Sequence, residues 1–219
     1  EADMALVTVK NRAHAALNPN AHLRTPITVE EVLASRTLAW PIKLGDACPA
    51  STGAAGVVLV SERYAKAHGL TPAWIRGIGQ NTETFWMGNR VGPTAASDHG
   101  DADALAVAFQ VAYTQAGITD PRSQIDVAEI YSPFSSVELH VIEAAGLADK
   151  GKAPLALSQG KFALGSDGPI VNPSGGVLCT NPIAVTGTIR VGEAANQVRN
   201  RAGAYQVPGA RVAVASAIG

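Results

Sequence analysis

One turn-forming segment, residues 171–182 (VNPSGGVLCTNP), constrains the fold of this chain more than any other part. It holds two glycines and two prolines within twelve residues, so neither an ordinary helix nor a central strand can run through it. A helical pattern follows, over roughly residues 184–202. The segment therefore predicts a tight turn that presents polar side chains on a fixed backbone, where catalytic and ligand-binding groups often lie.

Composition and charge exclude several classes of protein. The net charge of −1 argues against a protein that binds nucleic acid or a membrane surface. The two cysteines stand far apart, which indicates a reducing compartment and argues against a disulfide framework or a zinc site. No apolar run approaches the roughly 20 residues that cross a bilayer, and no signal peptide is visible. We therefore expect a cytoplasmic protein of one large domain or two small ones.

Hydrophobic periodicity and turn residues predict an alternation of short strands and helices. Two capping-box patterns, Thr28 with Glu31 and Ser135 with Glu138, mark helix starts. We predict helices over residues 1–17, 28–35, 61–68, 102–116 and 135–145, strands over 54–60, 73–80, 125–131 and 212–215, and loops over 82–100 and 150–169. This order is typical of an α/β fold.

Five motifs occur in an order and at spacings that resemble the thiolases of the sterol-carrier-protein type. Residues 48–55 (CPASTGAA) are similar to their C-P-x-S-D-G-A-A, and residues 129–138 (EIYSPFSSVE) resemble their E-x-H-D-x-F-(S/T)-x-x-E. Residues 172–176 are identical to their N-P-S-G-G. Residues 181–182 and 186–187 then fall where such proteins have G-H-P and A-T-G. The resemblance covers nearly the whole chain.

The resemblance implies a thiolase fold, of which this chain would be the second half. Such a fold has two similar βαβαβαββ halves in a five-layered αβαβα body, with a loop domain inserted in the first half. By this alignment, residues 1–44 form the end of the loop domain, residues 45–71 the end of the N-terminal half, and residues 72–219 the C-terminal half. The absence of an initiating Met and the final strand pattern also suggest part of a longer protein. The nucleophilic cysteine of thiolases lies in the first half.

The departures from the family pattern bear on the chemistry. Asn181 stands where the thiolase histidine activates the nucleophilic cysteine, and an amide cannot act as a general base. Tyr131 stands where another histidine helps to hold the thioester oxygen through a water. No cysteine occurs at the end of the chain, where many thiolases have a second one. We therefore expect that Claisen chemistry by the usual route is disabled.

Some thiolase-like proteins of sterol side-chain breakdown carry replacements of this kind and work as aldolases. The resemblance implies retro-aldol cleavage of a β-hydroxyacyl-CoA, with coenzyme A present as part of the substrate and no covalently bound cofactor. It also implies a homodimer and a small partner protein with a zinc-ribbon and oligonucleotide-fold module. Two alternatives stay open: a thiolase-type acyltransferase, similar to acetyl-CoA acetyltransferase, and a non-catalytic module that binds acyl-CoA or a partner.

The resemblance assigns roles to nine side chains or backbone positions. The predicted catalytic residues are Tyr131 for proton transfer, Asn181 for positioning or oxyanion donation, and Cys179 in a supporting role. The predicted substrate-binding residues are Cys48, Ser51, Phe134, Ser174, Gly175 and Gly176. We predict no metal site.

Structural roles compete with these assignments. Tyr131 could anchor a strand, Asn181 could serve the turn, and Cys179 could be a small buried apolar residue. Glu138 is expected to cap its helix, and the FWM segment at residues 85–87 could line a substrate entrance or an interface. The histidines are scattered, and none pairs at metal-ligand spacing: His14, His22, His68, His99 and, on the helix of Glu138, His140.

Overall fold

The computed structural model describes residues 1–91, 100 and 102–218. In chain order, the helices of the described part are α1 (Ala2–Ala15), α2 (Val29–Ala34), α3 (Glu62–Ala67), α4 (Asp103–Ala116), α5 (Pro121–Gln124), α6 (Ser135–Ala144), α7 (Ala153–Ser158), α8 (Gly176–Cys179) and α9 (Thr186–Val198). The strands are β1 (Thr37–Ala39), β2 (Ile42–Lys43), β3 (Val127–Glu129), β4 (Ile170–Val171) and β5 (Ala213–Ala215). Short 3-10 turns lie at Leu44–Asp46, Met87–Arg90, Ile183–Val185 and Gly203–Tyr205.

A parallel sheet of three strands organises the described part, in the order β4-β3-β5. Val127 pairs with Ile170 on one side and with Ala213 on the other. β3 is buried along its whole length, as expected for a parallel strand with helices on both faces. The separate strands β1 and β2 form an antiparallel hairpin.

The two faces of β3 carry different layers. Ala128 and Ile130 belong to the main apolar cluster, together with Phe109 of α4 and Ile142 of α6. Glu129 points to the opposite face, where it forms an ion pair with Arg190 of α9. Because successive side chains of a strand alternate between faces, helices cover the sheet on both sides. The predicted α/β class is confirmed by this arrangement of helices and sheet.

Helix α1 carries an unusual number of buried polar residues. Lys10, Asn11 and His14 are each less than 10% exposed, although they lie on the same helix as the core residue Val7. The helix packs against α6, α7 and α8. The predicted end of the loop domain is therefore packed directly against the predicted C-terminal half, although the boundaries at residues 44 and 71 stay predictions.

Most predicted helices are confirmed with small shifts at their ends. The capping box of α2 is present: Thr28 Oγ1 accepts from the Glu31 amide at 3.2 Å, and Glu31 Oε2 accepts from the Thr28 amide at 2.8 Å. Ser61 caps α3 as predicted. The helical pattern after the turn begins as a 3-10 turn and continues as α9.

Two predicted strands are wrong. Residues 54–60 are exposed, with Val58 87% exposed, and they pair with no strand of the described part. An apolar run becomes a strand only where a neighbouring strand satisfies its backbone groups. Residues 73–80 lie along α4 instead, where the Ile78 amide donates to Gln115 Oε1 at 3.1 Å. A Cβ at Gly79 would come within 1.8 Å of the Ala108 carbonyl oxygen, so glycine permits this close approach.

The two predicted loops differ in how much regular structure they contain. The predicted loop 150–169 contains α7, whose Pro154 lies in the first turn, a position that favours a helix start. Of the predicted loop 82–100, residues 92–99, including His99, lie outside the described residues. Phe85 and Trp86 of the FWM segment are exposed, 103% and 68% respectively.

Within the described part, no helix is long and apolar enough to cross a membrane.

The first prediction concerns the close packing of the turn on α1. Gly175 has φ +95°, and a Cβ there would lie 2.5 Å from the Ala15 Cβ. Gly203 has φ +65° with open space around it, so Gly203→Ala isolates the backbone strain. We expect Gly203→Ala to lower the free energy of unfolding by about 1 kcal/mol. Gly175→Ala should lower it by about 2 kcal/mol more, because overlap is added to strain. If urea unfolding shows that the two variants lose the same unfolding free energy, the close packing of Gly175 on Ala15 is contradicted.

Candidate functional site

Asn172 joins the turn to the end of strand β3. Its φ of +51° places it in the left-handed region. Its Oδ1 accepts from the Ile130 amide at 2.9 Å, and its Nδ2 donates to Ser132 Oγ at 3.2 Å and to Glu138 Oε2 at 2.7 Å. These bonds hold the residues on both sides of Tyr131, so the turn fixes the backbone that carries the predicted proton-transfer residue.

Glu138 accepts the bonds that stabilise this arrangement. Its carboxylate is fully buried and accepts from Asn11 Nδ2 at 2.7 Å and from Ser132 Oγ at 2.9 Å, in addition to Asn172. Lys10 Nζ lies 2.9 Å from its Oε1. Burial acts to raise the pKa of Glu138, but the Lys10 charge and the hydrogen bonds lower it overall. The carboxylate is therefore held ionised inside the protein.

The prediction that Glu138 caps α6 is wrong. The N-cap residue is Phe134, and no side chain caps the helix. Ser135 Oγ instead donates to Asp46 Oδ1 at 2.6 Å. The Glu138 oxygens instead accept from buried donors of α1 and of the turn. These donors would lack acceptors if Glu138 bonded the amides at the start of its helix. His140, on the same helix, is exposed.

Lys10 is buried and pairs with polar groups of three residues. Its ammonium lies 2.9 Å from Glu138 Oε1, 2.6 Å from Asn11 Oδ1 and 2.9 Å from the carbonyl oxygen of Val171. The contacts with Asn11 and Val171 are hydrogen bonds, and the contact with Glu138 is an ion pair. The contact with Val171 ties α1 to the last residue of β4.

A second buried carboxylate holds the other side of the turn. Glu129 accepts from the Ser174 amide at 3.0 Å and from Ser174 Oγ at 2.8 Å, and it forms a close ion pair with Arg190. Arg190 Nη1 also donates to Ser174 Oγ at 2.8 Å. The predicted substrate-binding residue Ser174 thus uses its hydroxyl within the protein, while Gly176 lies close enough to Asn172 that a Cβ would approach its side chain to 2.8 Å.

Asn181 brings together several of the predicted site residues. Its Nδ2 donates to Cys48 Sγ at 3.0 Å, and its Oδ1 accepts from Thr186 Oγ1 at 2.9 Å. Its backbone exchanges hydrogen bonds with Ser51, from the Asn181 amide to Ser51 Oγ and from the Ser51 amide to the Asn181 carbonyl oxygen, both at 3.1 Å. The loop that contains Cys48 and Ser51 is therefore joined to Asn181, the residue predicted to replace the family histidine.

Tyr131 and Phe134 lie beside the same loop. The Tyr131 amide donates to Ser216 Oγ at 3.1 Å, and the Tyr131 side chain is partly buried. Two residues further on, the carbonyl oxygen of Pro133 accepts from the Cys48 amide at 2.9 Å. Phe134, which is 40% exposed, pairs through its backbone with Ala47. The structure thus places the chain around Tyr131 next to Cys48, and through Cys48 next to Asn181.

Cys179 lies below this surface. It is fully buried, packs with Ala15 and Ala21, and burial raises the pKa of its thiol to about 12. A thiol in such a setting stays protonated near neutral pH. The geometry agrees with the structural alternative of a small buried apolar residue, while its supporting catalytic role stays a prediction.

Sequence reasoning missed His22. Its Nδ1 lies 3.0 Å from Ser51 Oγ, and its amide donates to Thr180 Oγ1 at 2.9 Å. The next amide, of Leu23, donates to the Cys179 carbonyl oxygen at 2.9 Å. No local pattern signals this contact, because the partners are far apart in sequence. Across the described residues, no cluster of side chains fits a metal ion.

The second prediction concerns His14, which supports the turn from α1. Its Nδ1–H donates to the Asn172 carbonyl oxygen at 2.9 Å, because its Nε2 accepts from the Leu164 amide at 3.0 Å. Burial lowers the pKa of His14 to about 3. In the unfolded chain, His14 therefore binds a proton below about pH 6.5, whereas in the folded chain it stays neutral down to about pH 3.

Stability should accordingly fall as the pH drops through this window. We expect His14→Gln to reduce the slope of unfolding free energy against pH by up to about 1.4 kcal/mol per pH unit, which corresponds to one proton. His68 is exposed, and His68→Gln is the matched control. The same slope for His14→Gln and the wild type, measured by urea unfolding at several pH values, would rule out a neutral buried imidazole.

Comparison with known proteins identifies the family. The family described as "Thiolase C-terminal domain-like" matches residues 93–219. Over 99% of its length the chain is 32% identical to the acetyl-CoA acetyltransferase of Methanothermobacter thermautotrophicus, of which it covers 54%. Over 96% of its length it is 31% identical to the sterol carrier protein 2 of Oryctolagus cuniculus, of which it covers 38%.

A solved structure, the Ltp2-ChsH2(DUF35) aldolase, matches with a TM-score of 0.77 and 25% identity. The match covers 95% of this chain and 53% of that one. The chain thus spans about half the length of the relatives it matches, or less. The motifs, the α/β architecture and these matches agree: the chain belongs to the thiolase family and corresponds to the C-terminal part of its fold.

Proposed function

We propose that this chain is part of a thiolase-fold enzyme that cleaves a β-hydroxyacyl-CoA by a retro-aldol reaction, in the degradation of a sterol side chain or a related lipid. One observation carries the proposal: both ends of the Asn181 amide are hydrogen-bonded, to Cys48 and to Thr186, at the position where the resemblance predicts the family's activating histidine. An amide has no titratable nitrogen, so the residue cannot activate a cysteine.

Retro-aldol cleavage does not need an activated cysteine. It needs a base for the β-hydroxyl proton, donors for the enolate that develops on the thioester oxygen, and an acid for the carbon that is released. The Asn181 Nδ2 has two N–H groups, of which one reaches Cys48, so the other is free to donate to the thioester oxygen. Tyr131 lies at the end of β3 on the backbone fixed by Asn172 and supplies a phenol for proton transfer.

The proposal includes the assembly. The aldolase that matches in structure is named with a second protein, ChsH2(DUF35), and its TM-score of 0.77 supports a similar partner for the enzyme that contains this chain. We propose a small partner with a zinc-ribbon and oligonucleotide-fold module, a homodimer of the thiolase-fold subunit, and a cytoplasmic location. Coenzyme A enters as part of the substrate.

An acyltransferase is the second candidate, because the archaeal relative at 32% identity is an acetyl-CoA acetyltransferase. That reaction would need a nucleophilic cysteine from outside this chain and another base in place of Asn181. The two candidates predict different products, since thiolysis consumes free coenzyme A and retro-aldol cleavage does not.

The third prediction tests Tyr131. With full-length protein and its partner, we expect cleavage of a β-hydroxyacyl-CoA to an acyl-CoA and a carbonyl product. Tyr131→Phe should lower kcat by about 100-fold or more, the usual effect of losing a positioned acid or base. Tyr64→Phe is the control, because Tyr64 is 49% exposed and stacks on His68 away from the site.

Other outcomes decide against parts of the proposal. Equal cleavage by Tyr131→Phe and wild type would remove the role of Tyr131. Thiolysis that depends on this chain would favour the acyltransferase. If neither reaction occurs with any partner, the chain is a non-catalytic thiolase-fold module.

A further inference from the structure

A hydrogen-bonded group of side chains from three separate segments lies where the family histidine is missing. His22 comes from the loop after α1, Ser51 from the loop before residues 54–60, and Asn181 from the loop after α8. Ser51 Oγ is the central atom, 3.0 Å from His22 Nδ1 and 3.1 Å from the Asn181 amide nitrogen. Ser51 is partly buried and His22 is exposed, so the group is open to solvent at its imidazole end.

The backbone holds His22 in this position. The amides of His22 and Leu23 donate to Thr180 Oγ1 and to the Cys179 carbonyl oxygen, both at 2.9 Å. The His22 segment therefore follows the 179–181 segment side by side. The hydrogen bonds of the His22 and Leu23 amides therefore fix the backbone that carries the imidazole beside Ser51.

The hydrogen-bonding capacity of Ser51 sets the direction of the contact with His22. A serine hydroxyl has one donor and two acceptor lone pairs. The Asn181 amide occupies one lone pair of Ser51 Oγ. The hydroxyl proton can then point to His22 Nδ1, which leaves the second lone pair for a donor from outside the protein. A substrate hydroxyl is a donor of this kind.

We propose that Ser51 and His22 form the proton acceptor for the substrate hydroxyl, in place of the histidine that Asn181 replaces. The proposal rests on the retro-aldol function proposed above. A neutral imidazole has a ring nitrogen with a lone pair that can accept a proton, which the Asn181 amide nitrogen lacks. Ser51 accepts the substrate proton and passes its own to the imidazole, so the pair acts as a relay from oxygen to nitrogen.

Atoms and electrons balance in this proton relay. The β-hydroxyl O–H bond breaks and its proton goes to Ser51 Oγ, while the Ser51 proton moves to His22 Nδ1. The β-oxygen forms the C=O bond of the ketone or aldehyde, and the electrons of the Cα–Cβ bond move into the enolate of the thioester. Tyr131 protonates the released carbon, and the imidazolium returns a proton to the phenolate through solvent.

The fourth prediction separates the two proton transfers. In full-length protein with its partner, His22→Gln should lower kcat for cleavage by about 100-fold. It should leave unchanged the exchange of the α-hydrogens of the product acyl-CoA with D₂O, because that exchange uses only the carbon acid. Tyr131→Phe should slow this exchange. His68→Gln, a second exposed histidine, is the control and should keep both activities.

Each outcome of these measurements has a consequence. Ser51→Ala and the double variant Ser51→Ala/His22→Gln should be no worse than His22→Gln alone, because groups that act as a unit are not additive. Wild-type cleavage by His22→Gln would overturn the proposal. Loss of both cleavage and exchange in His22→Gln would overturn the assignment of His22 to the hydroxyl proton.

Nitrogen NMR of the His22 ring tests the relay without any turnover. With the imidazole neutral, we expect the proton on Nε2, since Nδ1 accepts from Ser51, and a change in the Nδ1 signal in Ser51→Ala. A proton on Nδ1 would overturn the proposal. If the wild type cleaves no β-hydroxyacyl-CoA, the proposed function fails, whereas the tautomer still decides whether the relay exists.

Discussion

The structure depends on one carboxylate that is ionised inside the protein. Glu138 has no access to water, and burial of an unpaired charge would cost several kcal/mol. Lys10, Asn11, Ser132 and Asn172 compensate that cost together, because each donates to it or carries the opposite charge. Since these donors come from α1, the segment after β3 and the turn, their contacts with Glu138 hold those three elements together.

This constraint explains how a flexible sequence forms a rigid site. The turn contains glycines and an asparagine with positive φ, which an unfolded chain would not hold in place. Glu138 fixes it through Asn172, and Glu129 fixes it through Ser174. The two carboxylates therefore hold the turn from its two sides. The loops that carry the proposed chemistry attach to this framework by backbone bonds.

Features of the fold that depend on residues close in sequence could be predicted, whereas features that depend on long-range contacts could not. The capping box at Thr28 could be predicted because both partners lie within one turn of helix. The same pattern at Ser135 failed, since the donors to Glu138 include Asn11, which lies 127 positions away. Residues 54–60 have the apolar composition of a strand, but strand formation depends on a neighbouring ladder that composition does not reveal.

The candidate site shows the same contrast between features that motifs predict and features that long-range contacts create. The motifs predicted the turn, a role for Tyr131 and a replacement at Asn181, and the structure places Cys48 and Ser51 against Asn181. His22 could not be found from the sequence, because its contact with Ser51 exists only after the loops fold together. His22 and Asn181, the predicted replacement of the family histidine, both contact Ser51.

The most direct test of the central claim is hydrogen exchange of two amides in Glu138→Gln. The Ile130 amide donates to Asn172 Oδ1 and depends on Glu138 through that side chain, whereas the Ser174 amide donates to Glu129 and does not. We expect exchange at Ile130 to accelerate far more than exchange at Ser174, through local opening at the end of β3. Equal acceleration at both amides, or none at Ile130, would show that Glu138 does not fix the backbone around Tyr131.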